Sequence, residues 1–219
     1  FYRVLGYEHV IASRIVDLLF VFGIIGMIMG SVSAISEKDT RRMIAYSSVA
    51  QIGYIFMGIG LGSAAGLVAS CFHILVHACC KPLLFCCAGR LSAVSGHHRS
   101  LKNLRGSAYR DIAAGIGFTV GSLSMIGIPL FGGFVSKLYF ASASLPTNRT
   151  AVTLLTIALS TVLNALYYIP ALLSIWMRPD PADERAVLAD ATPEMLAFDR
   201  PFTAAAAVFT ASIFILGIF

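Results

Sequence analysis

Hydrophobic residues along this chain gather into long runs over 15–36, 43–62, 65–89, 111–145, 152–176 and 203–219, and nearly all charged side chains lie between the runs. A hydrocarbon core about 30 Å thick takes about 20 helical residues to cross, so most runs have the length of one membrane span. The alternation of apolar and polar positions that marks a membrane β-barrel is absent, and in lipid a helix satisfies its own backbone hydrogen bonds. The expected fold class is all-α: an integral membrane bundle of about six transmembrane helices. The longest hydrophilic connections are 90–110 and 177–202, and the Pro, Asp and Glu content of the second predicts an exposed loop with a short surface helix from Pro181 to Leu188.

The run 111–145 is too long for one straight span, since about 35 helical residues would cover about 52 Å. Gly127-Ile128-Pro129-Leu130-Phe131-Gly132-Gly133 supplies a break. Pro129 removes a backbone donor, and Gly132 and Gly133 weaken the helix. The run then forms either a hairpin or one discontinuous helix that crosses once. With one crossing, Lys38, Arg41, Arg42, Arg90, Arg99, Lys102, Arg105, Arg110, Arg178, Arg185 and Arg200 share a side, against Arg3, Arg14 and Arg149, a split of eleven to three. A hairpin gives nine to five. Basic loops collect on the cytoplasmic side, so a single discontinuous span is expected.

Composition agrees: 58% of residues are hydrophobic and 12% charged, where soluble domains carry about a quarter charged residues. Mean hydropathy is +0.82. The net charge of +5 comes from short loops between apolar runs, which argues for membrane topology and against nucleic acid as a partner. Cys71, Cys79, Cys80, Cys86 and Cys87 all fall in one apolar run and read as small buried hydrophobes, with no metal or iron-sulfur spacing. The chain opens at Phe1 without an initiator Met or signal peptide, and its last run reaches Phe219, so it is expected to be a fragment.

Two of the four lysines, Lys81 and Lys137, interrupt apolar runs. A charge there costs several kcal/mol or more and marks a functional position. His73, His77 and Lys81 are spaced i, i+4, i+8, so they project from one helix face. Imidazoles titrate near neutrality, which makes such a stripe fit to hand protons along. Pro82 frees the carbonyl of Ala78, a seat for ordered water. Lys137 follows the Gly132-Gly133 pair by about one turn, where unwound backbone and water meet in transporters; the competing reading is a lysine that snorkels from a helix end. Ser47, Ser48, Gln51 and Tyr54 line either a polar path or a hydrogen-bonded helix contact. Glu37, Lys38, Asp39, Arg41 and Arg42 read as a solvated loop, and His97 and His98 as surface residues. No nucleotide-binding loop or hydrolytic triad is present, so no cofactor, metal site or catalytic centre is expected in this chain.

These residues resemble a known family: the antiporter-like membrane subunits of respiratory complex I, Mrp-type cation/proton antiporters and membrane-bound hydrogenases. Asp39-Thr40-Arg41-Arg42-Met43-Ile44-Ala45-Tyr46-Ser47-Ser48 is similar to the family's charged turn and Ala-Tyr-Ser-Ser helix. His73, His77-Ala78 and Lys81, followed by Leu84-Phe85, resemble its His, His-Ala, Lys, Leu-Phe helix, and Gly133-Phe134-Val135-Ser136-Lys137 its broken helix. The resemblance spans roughly 30–145. It implies that Lys81 is the central relay lysine, that His73 and His77 line the same hydrated axis, and that Lys137 is the terminal proton residue. It further implies that residues 1–219 form one transmembrane domain, the second of two inverted five-helix repeats plus one further helix. The cysteines at 79, 80, 86 and 87 and Pro82 depart from the usual pattern without removing an ionisable group.

The expected function is translocation of protons, with Na+/H+ exchange as a variant, through buried Lys and His residues. The expected setting is a multisubunit complex, such as NADH:quinone oxidoreductase, a hydrogenase or an Mrp antiporter, in the bacterial cytoplasmic membrane. Expected partners are other membrane subunits and the bilayer. The rival expectations are a non-conducting scaffold subunit and an unrelated secondary transporter.

Overall fold

The computed structural model describes residues 14–178 and 199–218, with Gly6, His9 and Glu184 as single positions. The surface helix expected from Pro181 to Leu188 falls outside the described residues, Glu184 apart. The described elements are all helical: α1 (Ile15–Ser36), α2 (Thr40–Gly60), α3 (Ala64–Ala93), α4 (Ser107–Arg110), α5 (Ile112–Ile126), α6 (Gly132–Ser144), α7 (Thr150–Trp176) and α8 (Arg200–Ile218). Of these, α1, α2, α3, α7 and α8 are each long and apolar enough to cross a membrane. Leu18, Phe22, Met29, Val68, Leu75, Leu155 and Val208 stand exposed around the bundle, a surface suited to lipid and unsuited to water.

Polar residues start the helices where the chain turns. Asp39 caps α2 by accepting from the amides of Arg41 and Arg42, Ser63 caps α3 through Gly66, and Asp111 caps α5 through Ala114. Between α1 and α2 the contact is made by small residues. A Cβ on Gly53 would lie 2.6 Å from the backbones of Gly23 and Met27, and one on Gly30 2.5 Å from the amide of Ala50. Without a hydrophobic driving force between helices in lipid, such close approach is how dispersion holds them together.

The ends of the helices sort into two sides. At the basic side, Thr40 bonds the carbonyl of Arg99 at 3.0 Å, Arg90 pairs with Asp111 at 2.6 Å, and Ser174 near the end of α7 donates to Leu101. At the other side Arg149 reaches both the Gly60 carbonyl and Asp17, joining the start of α7 to the end of α2 and the start of α1. The α5 helix therefore starts at the basic side, and α6 ends at the opposite one. Together they make one interrupted crossing, and the hairpin alternative is excluded.

Residues 127–131 are unwound between α5 and α6. Gly127 ends α5 in the left-handed region with φ +92°, where its amide and that of Ile128 both return to the Leu123 carbonyl. Pro129 follows, then Leu130 at φ +82°. Gly132 and Gly133 lie just past the break, as the first residues of α6. Their missing side chains serve packing: a Cβ on Gly133 would overlap the Ser124 carbonyl, and one on Gly132 would lie 2.9 Å from Leu216 of α8.

Apolar side chains form two separate clusters, one in the basic half around Ile44, Val76, Leu84, Phe118 and Ile175, the other in the opposite half around Phe20, Tyr54, Met57 and Phe140. Polar residues fall between them in every long helix of the core. Ser31 stands between Met27 and Ala34, Ser47 and Gln51 between Ile44 and Tyr54, His73 between Ala69 and Val76, and Lys137 between Phe131 and Phe140. The bundle is thus cut across its middle by a buried polar layer.

Candidate functional site

Lys81 and Lys137 are the charged residues of this layer, and their residues are only 5% and 7% exposed. Lys81 leaves α3 toward α2 and α7. Its ammonium donates to the Ile44 carbonyl at 3.0 Å and to the Ser47 hydroxyl, with Tyr168 Oη at 3.5 Å. Ser47 and Tyr168 share a hydrogen bond of 2.9 Å. Lone pairs of neutral oxygens therefore surround the charge.

Lys137 is seated differently, against the open end of α5. Its Nζ donates to the carbonyl of Ile126 and, at 2.9 Å, to Thr161 Oγ1 of α7. A helix that stops mid-membrane leaves its last carbonyls without amide partners and carries partial negative charge there. The break thereby creates the cation's seat. Snorkelling does not describe this residue, since the side chain turns inward to the broken helix rather than outward along α6.

Between the lysines runs a row of rings. His73 stacks on Tyr54 with centroids 5.3 Å apart, and Lys137 Nζ lies 5.7 Å from the centre of that same Tyr54 ring. His77 follows His73 at 6.5 Å and precedes Lys81 by one helical turn. His73 Nδ1 bonds Ser136 Oγ, from the residue before Lys137, at 2.7 Å. The Nε2 atoms of both histidines and Nε2 of Gln51 are buried without a hydrogen-bond partner among the described residues.

Neither lysine has an Asp or Glu within ion-pair distance among the described residues, whose two ion pairs, Arg90–Asp111 and Arg149–Asp17, sit at the bundle's ends. The same residues contain no group of three His, Cys, Asp or Glu side chains placed to hold a metal.

Residues 1–164 match the family described as NADH:quinone oxidoreductase/Mrp antiporter, TM. The chain belongs to this family. It is 35% identical to NADH-quinone oxidoreductase subunit N of Desulforudis audaxviator over 76% of its own length and 34% of that protein's. Its fold superposes on a chain of the Mrp complex from Dietzia sp. with a TM-score of 0.81 at 25% identity, covering 99% of this chain and 47% of that one. On a chain of respiratory complex I from Thermus thermophilus the TM-score is 0.71 at 26% identity, covering 92% and 43%. This family member therefore spans about a third of the subunit N relative and less than half of either solved chain. It is an integral membrane protein.

Of the residues singled out in the sequence, the structure brings His73, His77, Lys81 and Lys137 together with Ser47, Tyr54 and Gln51. Ser48 is half-buried and touches this group only through the Ile44 carbonyl, which also accepts from Lys81 and Ser47. Sequence reasoning missed the partners on α5, α6 and α7: Ser124, Ser136, Thr161, Asn164, Tyr167 and Tyr168. A signal existed for α7. Thr153, Thr156, Ser160, Asn164 and Tyr167 recur every three or four residues and are all buried, which is the spacing of one helix face.

Proposed function

We propose that this chain conducts protons across or along the membrane as one part of an antiporter-like subunit, in a complex of the NADH:quinone oxidoreductase or Mrp type. The observation that carries this reading is the polar layer itself, where two buried lysines, two histidines and their hydroxyl partners lie in register across α2, α3, α6 and α7. Burying one such group is costly, and burying a connected row without function is costlier still. The relatives named above are bacterial, which supports a setting in the bacterial cytoplasmic membrane beside other membrane subunits.

In this scheme Lys81 holds a proton against the carbonyl of Ile44 and the hydroxyls of Ser47 and Tyr168. A charge change in a neighbouring subunit alters how tightly that proton is held. The proton passes through ordered water at the unpartnered nitrogen of His77 to His73, then across Ser136 to Lys137. Lys137 delivers it at the broken helix, where unwound backbone admits water. Sodium is the weaker reading for the row itself, because a hard cation seeks oxygen anions and these residues offer ammonium and imidazole groups.

The test uses the complete complex that carries this chain, reconstituted in sealed vesicles with pumping read by a pH-sensitive dye. Lys81→Ala and Lys137→Ala are each expected to reduce pumping to a small fraction while the complex still assembles. Lys81→Arg is expected to fail as well, because arginine keeps the charge but does not release its proton. A scaffold subunit tolerates that exchange. Unchanged pumping in Lys81→Ala and Lys137→Ala removes the reading.

A further inference from the structure

The broken end of α5 offers more than one carbonyl, and Lys137 takes only that of Ile126. The one before it, from Met125, accepts from Asn164 Nδ2 of α7 at 3.1 Å. Asn164 is fully buried. Its Oδ1 accepts from Tyr167 Oη at 2.8 Å and faces Ser31 Oγ of α1 at 3.5 Å. Tyr167 packs against Tyr168, ring centres 4.6 Å apart, and Tyr168 shares Ser47 with Lys81. A second connection between the two lysines therefore runs along α7, separate from the histidine row of α3.

An amide neither gains nor loses a proton under these conditions, so Asn164 does not pass one on. What it does is fix positions. By holding the Met125 carbonyl it sets the direction of the adjacent Ile126 carbonyl, and by holding Tyr167 it sets the ring that backs Tyr168. We infer that Asn164 is a positioning residue that ties the seat of Lys137 at the broken helix to the seat of Lys81, so that proton occupancy at one lysine depends on the other. This inference rests on the proton-conduction reading above. The titratable side chains against Lys137 are Tyr54 of α2 and His73 of α3, while α5 and α7 present it with the Ile126 carbonyl and Thr161.

The experiment compares Asn164→Leu, which keeps the volume and removes the hydrogen bonds, with Asn164→Gln and Lys137→Ala in the complete complex in vesicles. Pumping is measured across pH. Loss of one or two buried hydrogen bonds predicts pumping about five- to tenfold slower in Asn164→Leu, with the pH midpoint moved by about one unit. Partial recovery is expected in Asn164→Gln. Adding Asn164→Leu to Lys137→Ala is expected to cause little further loss, because both act on one seat. Should Asn164→Leu not assemble, Asn164→Ser carries the same expectations. The inference is overturned if Lys137→Ala stops pumping while the assembled Asn164 variant keeps the wild-type rate and pH profile, or if the two losses multiply independently. If Lys81→Ala and Lys137→Ala both pump normally, the conduction reading fails first and this inference with it.

Discussion

A lysine ammonium inside a bilayer is stable only to the extent that the fold aims oxygen lone pairs at it, and the two lysines here are served in different ways. Lys81 takes the backbone carbonyl of Ile44 and two hydroxyls, and the hydroxyls are replaceable side-chain contributions. Lys137 takes a carbonyl that no helix amide claims, together with Thr161. Removing a hydroxyl from the first seat is therefore the finer probe. A hydrogen bond to a charged group contributes about 1.5–3 kcal/mol, so Ser47→Ala is expected to slow pumping about tenfold or more without loss of assembly. Ser48→Ala is the milder comparison, since that hydroxyl shares the Ile44 carbonyl with Lys81 but is not a hydrogen-bond partner of the ammonium itself, and its rate is expected to fall less than that of Ser47→Ala. Equal rates in the two variants would show that the Ser47 contact carries no weight. The sequence already set Ser47 and Ser48 side by side as polar residues, but adjacent positions on a helix point about 100° apart. Which of them faces Lys81 depends on how α2 rolls against α3, and the roll is set by Gly23, Gly30 and Gly53 at the contact with α1.

At the scale of elements, the interrupted span supplies Lys137 and the open carbonyl that holds it. Its existence was legible from length alone, because 111–145 exceeds one crossing, and its single passage was legible from the distribution of Lys and Arg. The roles within the break were less so. Gly127 and Pro129 unwind the chain, whereas Gly132 and Gly133 belong to α6 and are small because α5 and α8 press on them. Sequence pattern does not separate a glycine that frees the backbone from one that makes room, since both are the same residue in the same apolar run. The polar face of α7 stayed hidden for a related reason: its Thr, Ser, Asn and Tyr are diluted by aliphatic residues, and only the packing shows that they converge on one side. The distinction among glycines is testable. Gly133→Val puts a Cβ onto the Ser124 carbonyl, and overpacking of this kind costs about 1–3 kcal/mol or more. The complex carrying it is expected to lose heat resistance in detergent, read as the fraction still assembled after a temperature ramp. Gly26→Ala, whose nearest neighbour would be 3.7 Å away, is expected to leave that curve in place; comparable losses in both would argue against close packing as the role of Gly133.

For the molecule as a whole, the two apolar clusters and the polar layer between them define an up and a down, and the charges say which is which. Among the described residues Lys38, Arg41, Arg42, Arg90, Arg99, Lys102, Arg105 and Arg110 belong to the loops and helix ends of the basic side, while the opposite side has Arg14 and Arg149. Arg149 is already held, by Asp17 and the Gly60 carbonyl, with its guanidinium over the Phe20 ring at 4.8 Å. Positive loops remain cytoplasmic as a rule, which predicts an orientation with α1 starting at the outer face and α5 starting at the inner one. Lys137 then sits below a half-helix that descends from the cytoplasmic side, with α6 leading away to the outer side. Single cysteines placed at Lys102 and at Thr147, in a background with the five native cysteines replaced, read this orientation directly. A membrane-impermeant maleimide added to intact cells is expected to label Thr147→Cys and to spare Lys102→Cys until the membrane is opened. The reverse pattern would place the open carbonyl end of α5 toward the inside and, in the proposed scheme, turn the direction of proton delivery from Lys137 around with it.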